Sequence, residues 1–505
     1  MLLCFSGYNS FGYNMKSNNI SKSTFIRGMQ CEKSMYLHRR HPELRDEISG
    51  EQQAIFTHGT NIGILAQELF PGGVNVQPDD WSQFKEAIEK TKQLIRSGEK
   101  VIYEAAVQYK NTIAFIDILV KEGRGWHIYE VKSSSSVNEV HVLDAAFQLN
   151  LLLNAGLKVK DVSIVHLNTK YVRMGELDIH ELFGITSVFH EAGEVLPEII
   201  EKLRRFGTVL KRDTVPDIPI GTHCMSPYTC DFMGHCWKHV PENSVFDMAG
   251  VKWDTKFELY NQGIMRLMDI PDEYPLSVNQ RLQVTGERDG QKVIDKQRIK
   301  EFLNDLTYPL YFFDLETFNP AVPLFDTSRP YQQIPFQFSV HLKKSKRSAP
   351  VHYEFLVESN NDPRPELIGQ LLECTREPGD ILVYNKGFET RILRELARDF
   401  PEYENDLQNR IDRVKDLMAP FRSKAYYTPG MRGSYSIKAV MPELVPGLTY
   451  DGLPIGDGGA AMNAYEQLLT ETDPDTIAQT RKALLEYCKL DTYAMVRILE
   501  QLEKV

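Results

Sequence analysis

The order of apolar and polar positions divides the chain into two runs of predicted strands, each interleaved with helical spacing. From about Ser21 to His41, STFIRGMQCEKSMYLHRR repeats apolar residues at helical intervals. A second helical stretch is expected from about Phe56 to Phe70, stopped by Pro71, Gly72 and Gly73. VIYEAAVQY, TIAFIDILVK and WHIYEVKSS are short, rich in β-branched and aromatic residues and separated by polar breaks, so they predict three strands of one sheet. DAAFQLNLLLNAG then predicts a helix and VSIVHLN another strand. A cysteine-bearing loop near residue 230 and a mixed stretch with the turn signals IPDEYP and RDGQ come next. YPLYFFDLET opens a second alternation, which ends in the helix ALLEYCKLDTYAMVRILEQL. The expected class is therefore α/β, in two units.

Length agrees, because 505 residues exceed what one hydrophobic core usually serves. The expected organisation is a disordered extension over 1–19, a first domain over 20–240, a connecting module over 241–305 and a second domain over 306–505. Hydrophobic content of 42% with 25% charged residues, and no run of eighteen apolar residues, excludes a membrane-spanning chain from the expectations. The N-terminus lacks a basic flank followed by an apolar core, so a cytoplasmic location is expected. A net charge of −11 argues against a broadly basic surface but suits clustered carboxylates. Seven cysteines, an odd number, point to thiols or metal ligands rather than a disulfide framework.

In FFDLET, Asp314 and Glu316 lie two apart on a predicted strand and leave the same face, where they can share a metal. In EYCKLDTYAM, Tyr487 and Asp491 lie four apart on one face of a predicted helix. LVYNKGFETRIL reads as an apolar strand that breaks at Asn385 into a helix carrying Phe388 and Glu389, and VKDLMAPF offers Asp416 on a strand as an alternative acid. Several hard oxygen ligands are what two divalent ions need to activate water and stabilise a leaving phosphodiester oxygen. A strand DxE alone is common, but DxE, NxxF[DE] and YxxxD in this order resemble the DEDD 3'→5' exonucleases of ribonuclease H-like fold, in the subclass whose last motif carries a tyrosine. That resemblance, over about residues 305–505, implies that Asp314, Glu316 and Asp491 ligate Mg2+ or Mn2+ and that Tyr487 orients the attacking water. The family's second motif supplies aspartate where this chain has Glu389, so Glu389 and Asp416 both stay open as the third acid. GSYSIKAVMPEL resembles the segment under such active sites, with a structural role for Ser436 and Lys438.

The first half carries Asp117 in FIDILV, then Glu130 and Lys132 in YEVKSS, each on a predicted strand, with Gln148 on the helix that follows. Two acids can hold a divalent ion while a lysine steadies the water or the phosphate. ExK alone is usually a solvated strand face; with Asp117 and Gln148 the set resembles the PD-(D/E)xK nucleases with their restriction-endonuclease-like fold, in particular the RecB-like branch and the CRISPR-associated iron-sulfur exonucleases. The match spans about residues 20–240. Two departures stand out: Leu152 replaces the tyrosine expected after Gln148, and Gly63 stands where a helix histidine is expected, which leaves His58 or Glu68 as the first metal ligand.

HCMSPYTCDFMGHCW spaces Cys224, Cys230 and Cys236 with five residues between neighbours, and Cys31 offers a fourth thiol. This spacing differs from the paired CxxC of structural zinc sites. One distant cysteine plus a trio resembles the 4Fe-4S staple of the same nuclease branch, with Zn2+ the alternative kept open by His223. Cys4, Cys374 and Cys488 are expected to be ordinary thiols. Both halves together resemble a bacterial family, carried as a domain of unknown function, that joins the two nuclease modules. The implied function is a metal-dependent exonuclease on DNA or RNA, acting on single-stranded DNA or DNA ends in repair, end processing or defence. The competing reading is a noncatalytic nucleic-acid-binding or scaffolding protein with one or both sites degenerate, and clustered, mutually repelling carboxylates argue against it.

Overall fold

The structure, a computed structural model, describes residues 19–47, 59, 61–358 and 361–505. The expected extension over 1–19 therefore falls almost wholly outside the described residues, as does His58. Two compact units make up the chain. The first comprises Met1–His239 with Ala321–Tyr331, and the second Val240–Pro320 with Gln332–Val505. Both are mixed α/β. The stretch read as a connecting module counts with the second unit, and residues 321–331 count with the first, where Thr327 donates from its backbone to Arg173 and Arg173 to Ser328. Among the described residues no helix is long and apolar enough to cross a membrane.

In the first unit the strands are β1 (Ile20–Ser21), β2 (Val74–Asn75), β3 (Val101–Tyr109), β4 (Thr112–Glu122), β5 (Gly125–Lys132), β6 (Val159–Leu167) and β7 (Phe183–Ser187). They form a mixed sheet in the order β2-β3-β4-β5-β6-β7, with β1 paired to β4. The β3–β4–β5 meander is antiparallel and β5–β6 parallel. Parallel pairing needs a crossover, and the helix Glu139–Asn154 supplies it. That helix starts at a capping box in which the Asn138 side chain accepts from the His141 backbone and the His141 ring accepts from the Asn138 backbone. Its apolar residues Ala145, Ala146, Phe147, Leu149, Leu151 and Leu152 are all buried, in one core with Ile116, Ile128 and Ile164 of the sheet. Leu152 thus fills core volume.

The single helix expected over 21–41 is two, α1 (Lys22–Gln30) and α2 (Glu32–Arg40). They part at Cys31, whose backbone is extended (φ −161°, ψ 118°) and which caps both.

The second unit has a five-stranded sheet in the order β11-β10-β9-β12-β13, where β9 is Leu310–Phe318, β10 Ile334–Lys343, β11 Val351–Leu356, β12 Ile381–Val383 and β13 Val414–Asp416. A small pair of strands, β8 (Val293–Ile294) with β14 (Tyr426–Tyr427), lies apart from it. Strand β9 is antiparallel to β10 and parallel to β12, so the sheet changes its pairing at β9. Strand β10 is buried along its whole length, and β9 all but Asp314. The long C-terminal helix Pro474–Leu502 is capped by Asp473, which accepts from the Thr476 backbone, and begins with proline at its first position. It buries Leu484, Tyr487, Cys488, Asp491, Thr492 and Met495.

Candidate active sites

In the second unit the two halves of the site are set by periodicity. Strand alternation puts Asp314 and Glu316 on one face of β9, and the i, i+4 spacing puts Tyr487 and Asp491 on one face of the C-terminal helix. Glu389 joins them from the first turn of the helix Lys386–Asp399, which begins at Asn385 immediately after β12. Glu316, Glu389 and Asp491 are 8%, 3% and 7% exposed. Burial drives the Asp314 carboxyl well above the usual range, and Asp491, Glu316 and Glu389 push it further. Burial and Asp491 raise Glu316 to about 8, against the pull of Lys438. Burial, aided by Asp416, raises Glu389 to about 8. Asp491 rises to about 6 by burial, held back by hydrogen bonds from Tyr450 and Tyr487 and by Lys438.

The two candidates for the third acid separate here. Asp416 is engaged, since one oxygen accepts from the Met418 backbone at 3.0 Å and the other pairs with Arg422 at 2.9 Å. Glu389 keeps a buried Oε2 with no hydrogen-bond partner and acts electrostatically on both Asp314 and Glu316.

The first unit gathers a different set. Asp117 Oδ2 accepts from the Val131 backbone at 2.8 Å, which locks the β4 acid against β5. Gln148 donates to Glu130 Oε2 at 2.6 Å, and Lys132 lies 2.8 Å from Glu130 Oε1. Lys22, at the start of α1, pairs with the same Oε1, and Lys132 also pairs with Asp144. Glu104 completes the group. The β3–β4 register passes from Tyr103↔Ile118 to Ala105↔Ile116, leaving Glu104 across from Asp117, and Glu104 has φ +51°, a conformation that side chains other than glycine seldom adopt. Burial works to raise Glu130, but Lys132 and Lys22 outweigh it and draw the carboxyl far down. Asp117 rises to about 6 by burial and the Glu130 charge, and Glu104 to about 8 by burial and the Asp117 charge. Glu68 sits exposed on the turn Gln67–Leu69, and a Cβ added at Gly63 would meet nothing within 4 Å.

The four cysteines Cys31, Cys224, Cys230 and Cys236 line one small cavity with Ile218, His223, Phe232 and Trp237. Charged side chains fasten the chain around it. Arg27 forks onto Asp231, Arg45 pairs with the same carboxylate, and Gln30 donates to the carbonyls of His223 (2.8 Å) and Tyr228 (2.6 Å). Burial pushes the Cys31, Cys230 and Cys236 thiols up.

A family profile described as a domain of unknown function (DUF2779) matches residues 311–436. That stretch holds Asp314, Glu316, Glu389 and Asp416 and stops short of Asp491. Among curated proteins, an uncharacterized protein of Mycoplasma pneumoniae is 25% identical over 292 residues, covering 51% of this chain and 44% of its own length. An uncharacterized protein of Mycoplasma genitalium is 25% identical over 221 residues, covering 40% of this chain and 33% of its own. The chain spans less than half the length of these relatives.

Five residues at these sites escaped the sequence reading. Lys22 sits at the front of a helix read as an amphipathic stretch, Glu104 in a strand read from its β-branched and aromatic content, and Asp144 one turn before Gln148, where i, i+4 spacing on the same helix was the available signal. Tyr450 carries no such signal. Cys488 lies beside Tyr487 in the last motif, and its place in the cluster follows from the helix reaching β9, which spacing alone does not reveal.

Proposed function

We propose that the chain is a metal-dependent nuclease that hydrolyses phosphodiester bonds of DNA, with RNA as the alternative substrate, from single-stranded segments or ends. The observation that carries this is the charge balance of the second unit. Four carboxylates from three elements, Asp314, Glu316, Glu389 and Asp491, converge in buried surroundings, and among the described residues the cation acting on Glu316 and Asp491 is Lys438, which is exposed. Buried acids so poorly compensated call for counter-charge from outside, and hard divalent ions supply it best. The ribonuclease H-like fold and the exonuclease class belong to the same proposal.

Mg2+ or Mn2+, when bound, supplies Lewis acidity and an activated water. Asp314, Glu316, Glu389 and Asp491 are the residues that would hold it. Tyr450 and Tyr487 donate to Asp491, which keeps its carboxylate in place, and Tyr487 is the group proposed to orient the water. In the first unit, Asp117 and Glu130 would take a divalent ion, with Lys132 and Gln148 beside them, as in a PD-(D/E)xK site. One observation favours the noncatalytic reading for that unit: Glu130 already accepts from Lys22, Lys132 and Gln148.

The cysteine cavity is proposed to hold a 4Fe-4S cluster. Four thiols around one cavity, one from the start of the unit and three from its end, are the donor set that supports this reading. Anaerobic purification is expected to give a brown protein, and a colourless one with stoichiometric zinc would reverse the assignment. The nuclease reading is tested with end-labelled single-stranded DNA and RNA in Mg2+ or Mn2+, comparing wild type with Asp117→Ala, Asp314→Ala and the double variant. Absence of degradation by the wild type under every metal sinks it.

A further inference from the structure

Cys488 brings a different kind of donor into the C-terminal acidic cluster. It follows Tyr487 and precedes Asp491 by three residues, so all three share the buried side of the helix, where Cys488 is 0% exposed. Its Sγ lies 3.7 Å from Asp314 Oδ2 and 3.9 Å from the Asp314 carbonyl oxygen. Asp314, Glu316 and Cys488 can each present one ligand atom within 4.8 Å of the others. Zinc–sulfur and zinc–oxygen bonds of about 2.3 and 2.1 Å at a tetrahedral angle put sulfur and oxygen about 3.6 Å apart, close to the separation seen here. Glu389 independently points to a ligand: it is 3% exposed, its Oε2 lacks a hydrogen-bond partner, and it acts on Asp314 and Glu316.

Oxygen donors alone suit magnesium or manganese, whereas a thiolate selects softer ions. We propose that Asp314, Glu316 and Cys488 form a capture site for a thiophilic divalent cation of the zinc class, which competes with the hard ion and holds the hydrolase inactive. This regulation rests on the nuclease reading of the same cluster. Capture is a ligand exchange without redox change: the Cys488 S–H bond breaks, its proton passes to solvent, and the sulfur electron pair forms the S–metal bond.

Cadmium titration of the full chain, read by ultraviolet thiolate-to-cadmium charge transfer, provides the test without any substrate. The wild-type minus C488S difference spectrum is expected to show a band that saturates at one equivalent per chain and falls when Mn2+ is added in excess. D314N retains every thiol, those of the cysteine cavity included, and is expected to lose the same band. In a parallel assay, the zinc concentration that halves Mg2+-supported hydrolysis is expected to rise at least about tenfold in C488S. Identical cadmium spectra for wild type and either variant overturn the proposal. If C488S does not fold, D314N carries the spectral test alone. A band in a wild type that hydrolyses nothing keeps the capture site and removes the nuclease reading; hydrolysis without the band does the reverse.

Discussion

The two acidic clusters are built from the same materials and compensated by protein cations to different degrees. Each pairs strand carboxylates with side chains from a helix. In the first unit, Glu104, Asp117, Glu130 and Asp144 are met by Lys22 and Lys132, and Glu130 is drawn far below its usual range. In the second, Asp314, Glu316, Glu389 and Asp491 are all raised, with Lys438 the cation that acts on two of them. Protein cations can thus do part of the work of a metal, and a cluster that has them needs an external ion less. If the second unit is the hydrolase, its chemistry depends on a bound ion, while the first unit is partly self-neutralised.

The largest expected effect is catalytic. If the second cluster carries hydrolysis, Asp314→Asn removes ion stabilisation worth several kcal/mol, about three decades in rate, while Asp117→Asn costs much less. Single-turnover rates on an end-labelled strand decide it, and equal losses from both variants would break the asymmetry. Next comes Lys22→Met. It leaves Glu130, 1% exposed, short of one partner, and because Lys22 is itself 27% exposed the expected loss is about 2–3 kcal/mol, below the 3–5 kcal/mol typical of a fully buried pair. Urea denaturation measures it, and Mn2+ is expected to restore part of the stability by taking the place of the lost cation. A variant as stable as wild type and indifferent to Mn2+ would show that Lys22 does not balance the site.

Glu316→Gln should act in the other direction on stability. In the folded protein Glu316 keeps its proton up to about pH 8, whereas in the unfolded chain it gives it up near 4.5. The folded state therefore binds more protons in this window, and stability falls as pH rises from 4.5 to about 8. Glutamine removes that loss. In chelator, Glu316→Gln is expected to match wild type near pH 4.5 and to melt several degrees higher at pH 8, at about 2–4 °C per kcal/mol, while losing hydrolysis. No gain at pH 8 would mean that the cluster is relieved by groups other than an ion.

Much of this contrast was legible before the structure. Strands β3 to β6 of the first sheet and β9, β12 and β13 of the second follow from short apolar, β-branched runs, whereas β1, β2, β7, β10 and β11 were not expected; Asp314 with Glu316, or Tyr487 with Asp491, follow from periods of two and four. What escaped comes from elements distant in sequence. Lys22 reaches Glu130 across 108 positions, and no local pattern encodes such a pairing. Glu104 faces Asp117 through a residue at φ +51°, which alternation does not reveal. The break at Cys31 was hidden because both helices bury apolar faces, Phe25 on one and Met35 on the other, so the helical period runs on across it. Cys488, expected to be an ordinary thiol, is buried, and its closeness to Asp314 comes from the packing of the C-terminal helix on β9, which residue type does not encode.

The smallest expected effect separates the two acids that the motif left open. Asp416 is already committed to the Met418 backbone and to Arg422, whose side chain is 52% exposed. Asp416→Asn therefore gives up a solvent-screened ion pair worth under about 1 kcal/mol and should change hydrolysis less than about threefold. Glu389→Gln keeps the shape and removes the charge from a carboxylate whose buried Oε2 has no partner, so a bound ion loses a ligand and hydrolysis should fall by at least about tenfold. Mg2+ titrations of both variants give the comparison its finest reading, because loss of a ligand raises the Mg2+ needed for half-maximal rate while loss of a surface pair does not. A raised Mg2+ requirement in Asp416→Asn with none in Glu389→Gln would move the third acid from the helix after β12 to the end of β13.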